Sequence, residues 1–72
     1  MTKLGLYFAK KSINRSDVSR KTGISKTRLS ELSNNDKTQL KVKELYLIAL
    51  AIDEDPGDLL KEVCEDFKLP KE

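Results

Sequence analysis

Seventy-two residues, 38% of them apolar, suffice for one small domain with one core and leave no room for a buried catalytic cleft. With no His and a single Cys64 there is no imidazole base, no zinc constellation and no internal disulfide, and glycines at 5, 23 and 57 make no phosphate-cradling loop. The longest apolar run, Leu45 to Ile52, is eight residues, far short of the roughly 20 that a membrane helix needs.

Met1-Thr2-Lys3 leads directly into patterned sequence, so no signal peptide is expected. The acids gather at helix starts and on solvent faces, with no pair of carboxylates at a plausible cleft. The expectation is a cytoplasmic binding domain that is not an enzyme and carries no metal or other cofactor. Charge is divided unevenly along it. Residues 1–43 hold eleven Lys and Arg against Asp17, Glu31 and Asp36, a net +8, whereas residues 44–72 hold three Lys against nine acids, a net −6. Such a division suits a basic face that meets an anionic polymer.

No segment alternates with the period of a strand, and the apolar spacing is helical. Leu4, Tyr7 and Phe8 stand at i, i+3, i+4 and define one face of a first helix over about residues 2–11. The run Ile13-Asn14-Arg15-Ser16-Asp17-Val18 reads as a second start: Asn14 as N-cap, Asp17 as the N3 acid of a variant capping box, Ile13 and Val18 as a hydrophobic staple. Gly23, able to take a left-handed conformation, stops that helix after Thr22. Ile24-Ser25-Lys26-Thr27-Arg28-Leu29 repeats the signature, with Ser25 as cap, and begins a third helix that ends near Asn34-Asn35, with Asn35 as a left-handed terminator.

A fourth helix is predicted from about Lys41 to Ile52, with Val42, Leu45, Tyr46, Ala49 and Ile52 as its core stripe. Leu47, Leu50 and Ala51 fall outside that stripe. A fifth helix starts at the cap Asp55, with Pro56 at N1 and Asp58 at N3, and is predicted to run to about Phe67. The fold class expected is an all-α, compact five-helix domain over residues 1–68, followed by a frayed tail at 69–72.

A helix, a short Gly-containing turn and a helix outline a helix-turn-helix, here over residues 14–34. Val18, Ile24, Leu29 and Leu32 supply four of five bracing positions, Thr22 the fifth, and Ser19 is the small residue at the crossing. From Leu4 to Leu60 the chain resembles the Cro and phage-repressor (lambda-repressor-like, xenobiotic-response-element) family. The matching runs are Ile13 to Ser19, Gly23 to Ser30, Ile48 to Ile52 and Asp58 to Leu60. It departs from that family at Arg15, where a Gln is common, at Ser33, where a Glu is frequent, and at Asn35, where a Gly is usual.

The resemblance implies five helices, the third of which enters the major groove of double-stranded DNA. It also implies phosphate contacts from Arg15 at the start of the second helix and from Asn34 and Lys37 after the third; Ser16 and Ser25 are further phosphate candidates. One physical clue stands apart from the family. A helix N-terminus favours acids, yet the third helix carries Lys26 at N1 and Arg28 at N3. Those cations, with the dipole and the Ser25 amides, make an anion site for phosphate or for the O6/N7 edge of guanine. Lys26, Thr27, Arg28, Ser30 and Glu31 are therefore the expected base readers, although an i, i+3 ion pair between Glu31 and Arg28 is the plainer account of Glu31.

The surplus apolar residues point to a second surface. Leu47, Leu50, Leu60, Cys64 and Phe67 are candidates for a homodimer interface that would set two third helices roughly 34 Å apart on a palindromic operator. The function expected is a sequence-specific transcriptional regulator, repressor-like. The alternative is an antitoxin or other interaction module that binds a partner protein through the C-terminal helices.

Overall fold

A computed structural model describes residues 1–70, which contain five helices and no strand. They are α1 (Lys3–Lys10), α2 (Arg15–Thr22), α3 (Lys26–Asn34), α4 (Val42–Ala51) and α5 (Pro56–Val63). Among the described residues no helix is long and apolar enough to cross a membrane. Of the expected tail, Leu69 and Pro70 are exposed; Lys71 and Glu72 lie outside the described residues.

Most helices start where the caps predict. Asn14 accepts the amides of Ser16 and Asp17, Ser25 accepts that of Arg28, and Asp55 accepts those of Gly57 and Asp58. Gly23, at φ +80°, closes α2 in the left-handed conformation. Thr22 contributes more than a methyl to the turn: its hydroxyl donates to the Val18 carbonyl at 2.6 Å and accepts the Ile24 amide at 3.1 Å. Asp17 does not reach back to close a capping box. Its carboxylate meets Arg20 one turn on, at 2.6 Å, on the open face of α2.

The core consists of Leu4, Tyr7 and Phe8 of α1, Val18 of α2, Leu29 and Leu32 of α3, Leu45, Ile48 and Ala49 of α4, and Leu59 of α5. Each fully buried large side chain contributes about 1.5–3 kcal/mol. The chain packs α1 on α3 and α5, α2 on α3 and α4, and α4 on α5. The helix-turn-helix pair α2–α3 is thus braced from behind by α1 and α4.

Three further sequence expectations need correction. The buried stripe of α4 is Leu45, Ile48 and Ala49, with Ile52 partly buried, whereas Val42 and Tyr46 are exposed. A helix apolar nearly all round beyond its first turn leaves its rotation open, and α4 settles with Ile48 inward because it must meet α2 on one flank and α5 on the other. Next, α5 ends at Val63 instead of about Phe67. Glu62, Glu65 and Asp66 crowd its C-terminal end, where the helix dipole disfavours acids, and Lys3 of α1 pairs with Glu65 and Asp66 across the gap. Lastly, Asn35 is extended (φ −113°) rather than left-handed, and its side chain turns the loop by accepting the Lys37 amide at 2.9 Å. Left-handed residues occur instead at Ser12 and Asp53, just after α1 and α4, where Ile13 donates to the Phe8 carbonyl and Glu54 to that of Ala49 in Schellman fashion.

The seam between α1 and α3 is formed by the main chain. Thr2 caps α1 by accepting the Gly5 amide, its hydroxyl donates to the Leu32 carbonyl at 2.7 Å, and its own amide donates to the Ser33 carbonyl at 2.9 Å. One residue therefore caps the start of α1 and the end of α3. Gly5 is required at this crossing, since a Cβ there would collide with the Ser33 carbonyl. Ser33 itself is fully buried, its hydroxyl bonded back to the Leu29 carbonyl at 2.8 Å. Gly5→Ala is expected to destabilise the fold by about 1–3 kcal/mol through overpacking. A thermal melt that left the midpoint unchanged would contradict the close approach.

Tyr7 links α1 to the α4–α5 connection, donating its phenol hydrogen to Glu54 at 2.8 Å. Burial, the bond to Glu54 and the nearby carboxylates of Glu62 and Asp58 push its pKa from 10.0 up to about 12. The folded protein holds that proton longer than the unfolded chain. The contribution of Tyr7 to stability is thus fully present below about pH 10 and is lost as the pH rises towards 12. Replacing the exposed Tyr46 by Phe leaves Tyr7 as the only phenol; its absorbance titration should then centre near 12, and a midpoint near 10 would contradict the buried pair.

Candidate nucleic-acid interface

Because α3 is buried on the side of Leu29, Leu32 and Ser33, its other side is left to solvent. Lys26, Thr27, Ser30, Glu31 and Asn34 are all exposed. At the helical repeat they fall within an arc of about 140°, a single stripe running the length of the helix. Four of the five residues expected to read bases are therefore brought together on one bare face.

The fifth, Arg28, is oriented differently from the expectation. It does not point outward, and it forms no ion pair with Glu31. Its Nε and Nη2 each donate to a carboxylate oxygen of Glu44 at 2.9 Å, and Nη2 also donates to the Gln39 carbonyl at 2.8 Å. The physical reason is a carboxylate that the local sequence does not reveal. Glu44, in the first turn of α4, already accepts the Lys41 amide at 3.0 Å, and the packing of the helices brings it within reach of the Arg28 fork. The bond from Arg28 is the first cause that holds the Glu44 carboxyl below the usual range, and the Lys41 amide adds to it. Of the two misplaced cations at the start of α3, only Lys26 stands free in solvent.

The residues expected to hold phosphates lie on three segments: the start of α2, the two ends of α3 and the loop after it. Ser16 and Ser25 lie exposed at the starts of α2 and α3, and Arg15 is half-buried beside Ser16. The cap bonds already occupy the Ser16 amide and the Ser25 hydroxyl oxygen, so each serine has its hydroxyl hydrogen left to offer. Asn34 is partly committed, its amide nitrogen donating to the Ser30 carbonyl at 3.0 Å. Lys37 is exposed in the loop after α3.

The candidate dimer residues fall into two groups. Leu60, Cys64 and Phe67 line a groove of about 610 Å³ together with Val42, Leu45 and Leu40, between the C-terminal part of the chain and the α3–α4 loop. Leu47 and Leu50 do not line it; they are exposed on α4. Cys64 is half-buried and free.

The arrangement is a short helix whose inner face is packed and whose outer face is polar, with a free lysine at its positive end. A family model for the Cro/C1-type HTH DNA-binding domain matches residues 3–65. The chain belongs to this family. No match is found among curated proteins or among solved structures. As a Cro/C1-type domain it is a DNA-binding module of the regulatory kind, and its helix-turn-helix is the α2–α3 pair.

Proposed function

We propose that the protein is a sequence-specific transcriptional regulator, repressor-like, which inserts α3 into the major groove of double-stranded DNA. The observation that carries this reading is the bare stripe of α3. Lys26, Thr27, Ser30 and Glu31 are all exposed there, and of their side chains the Ser30 hydroxyl alone takes a bond within the described residues, from Asn34 on the same face. Lys26 suits the guanine edge, Thr27 and Ser30 can donate, accept or meet a thymine methyl, and Glu31 can accept from the cytosine amino group. Arg15, Ser16, Ser25, Asn34 and Lys37 hold the flanking phosphates, which fixes register without reading sequence.

A single α3 spans few base pairs, so a twofold dimer on a palindromic operator completes the proposal. The groove face is its interface. Leu60 is 50% exposed and Phe67 79%, beside Val42 at 84%, an apolar patch of the kind that association covers.

Selection from a random duplex pool is expected to enrich a palindromic motif. Lys26→Ala or Thr27→Ala should relax the preference at one base pair per half-site by about 1–3 kcal/mol. Lys37→Ala should weaken every sequence alike and reduce the salt slope by about one. A pool that shows no enrichment, or a motif that both α3 variants leave intact, would refute the assignment of α3. Sedimentation tests the dimer separately: the wild-type chain should show a concentration-dependent dimer, and Leu60→Glu with Phe67→Glu a folded monomer. A wild-type protein that stays monomeric, alone and on its selected duplex, would remove the groove from the account.

A further inference from the structure

Arg28 lies beside the reading stripe, yet its fork is spent inside the protein. Both oxygens of Glu44 and the Gln39 carbonyl receive its hydrogens, and the Glu44 oxygen that meets Nη2 also takes the Lys41 amide. Three segments therefore converge on one guanidinium: the first turn of α3, the far end of the 35–41 loop, and the first turn of α4. Bidentate, charge-assisted bonds of this kind are the strong ones and fix direction as well as distance. The pair is well withdrawn from water, with 30% of the Arg28 side chain and 15% of the Glu44 side chain exposed, so loss of either partner strands the other. To read guanine, Arg28 would have to release the carboxylate first.

The loop it holds has little else to fix it. Within residues 35–41 the Asn35 side chain accepts the Lys37 amide and the Asn35 carbonyl accepts that of Thr38. Leu40 is the apolar side chain of this segment that packs against the core, Thr38 is half-buried, and at the two ends the Asn35 amide donates to the Glu31 carbonyl and the Lys41 amide to Glu44. Lys37 rides on this loop.

We propose that Arg28 is a positioning residue, which reads no base and instead fixes the 35–41 loop, and with it Lys37, in register with the outer face of α3. The inference rests on the DNA-binding reading above. It assigns to the Arg28–Glu44 pair the distance between the base-reading stripe and a phosphate contact beyond it. Either partner then matters equally to every DNA sequence.

The test compares wild type, Arg28→Ala, Glu44→Gln and the double variant, each selected on the same random duplex pool and then titrated on the duplex that the wild type enriches. Glu44→Gln preserves the side chain's shape and an acceptor oxygen, so it remains folded if Arg28→Ala does not. All four should return one motif. Each single variant should bind about five- to tenfold more weakly, and the double variant no more weakly than the weaker single. Lys37→Ala should cost less in the Arg28→Ala background than in wild type. Amide exchange at residues 36–41 of the free protein should quicken in both single variants. If Arg28→Ala erases the preference at one base pair while Glu44→Gln holds or gains affinity, Arg28 is a reader and the proposal falls. If wild type enriches no motif, the DNA-reading assignment of α3 fails on its own, and the exchange measurement still decides the role of Arg28: unchanged protection at residues 36–41 overturns it.

Discussion

The meeting of Gly5 with the main chain of Ser33 sets how deeply α3 is seated in the domain. Nine residues are too few for a helix to persist in water by itself, so α3 exists because its surroundings hold it. Thr2 ties its last carbonyls to the start of α1, Leu29 and Leu32 fill the space beneath, and the Arg28 fork secures its first turn to α4. Every one of these ties uses the inner face or an end. The outer face is thereby released from any part in folding, which is the physical condition for its side chains to be chosen by a ligand.

Two cations at the start of α3 looked like one anomaly and have two causes. Lys26 at N1 faces water with the helix dipole behind it, an arrangement that favours an anion placed in front. Arg28 at N3 is neutralised from within by Glu44, whose own position in the first turn of α4 suits that helix's dipole. The unfavourable placement of one cation is offset by a carboxylate from another helix. A rule broken at a single helix can thus be satisfied at the level of the fold, and only the residue left uncompensated there points outward to a partner.

The helix starts were legible because a cap is a conversation between a side chain and its own backbone two or three residues away. Asn14, Ser25 and Asp55 were identifiable for that reason, and Gly23 because a left-handed residue at a helix end has a preferred chemistry. The outer stripe of α3 was legible because Leu29 and Leu32 fix its rotation. What was hidden depends on contacts between distant segments. The rotation of α4 had no polar face to mark it, the end of α5 is drawn off by Lys3 some sixty residues earlier, and the partner of Arg28 lies sixteen residues on. The same limit applies to Leu47 and Leu50, which share apolar character with Leu60 and Phe67 but do not line the groove that those two do.

The uneven charge of the two halves acquires a direction from the packing. Helix α5 lies against α1 and α4, and Glu54, Asp58, Glu62 and Glu65 line one cleft there with Tyr7, Lys10, Lys11 and Lys61. The helix-turn-helix is braced by the other sides of α1 and α4, and Lys26 and Lys37 belong to its surroundings. The net charge of +2 includes cations already matched within the fold, among them Lys3, Arg20 and Arg28. On the DNA-binding reading proposed above, a polyanion meets exposed lysines at Lys26 and Lys37, whereas in the cleft beside α5 four carboxylates stand beside the three lysines. The carboxylates that α5 and the segments flanking it bring to this cleft thus offset Lys10, Lys11 and Lys61 locally, so that the basic character of the N-terminal half is not spread evenly over the domain.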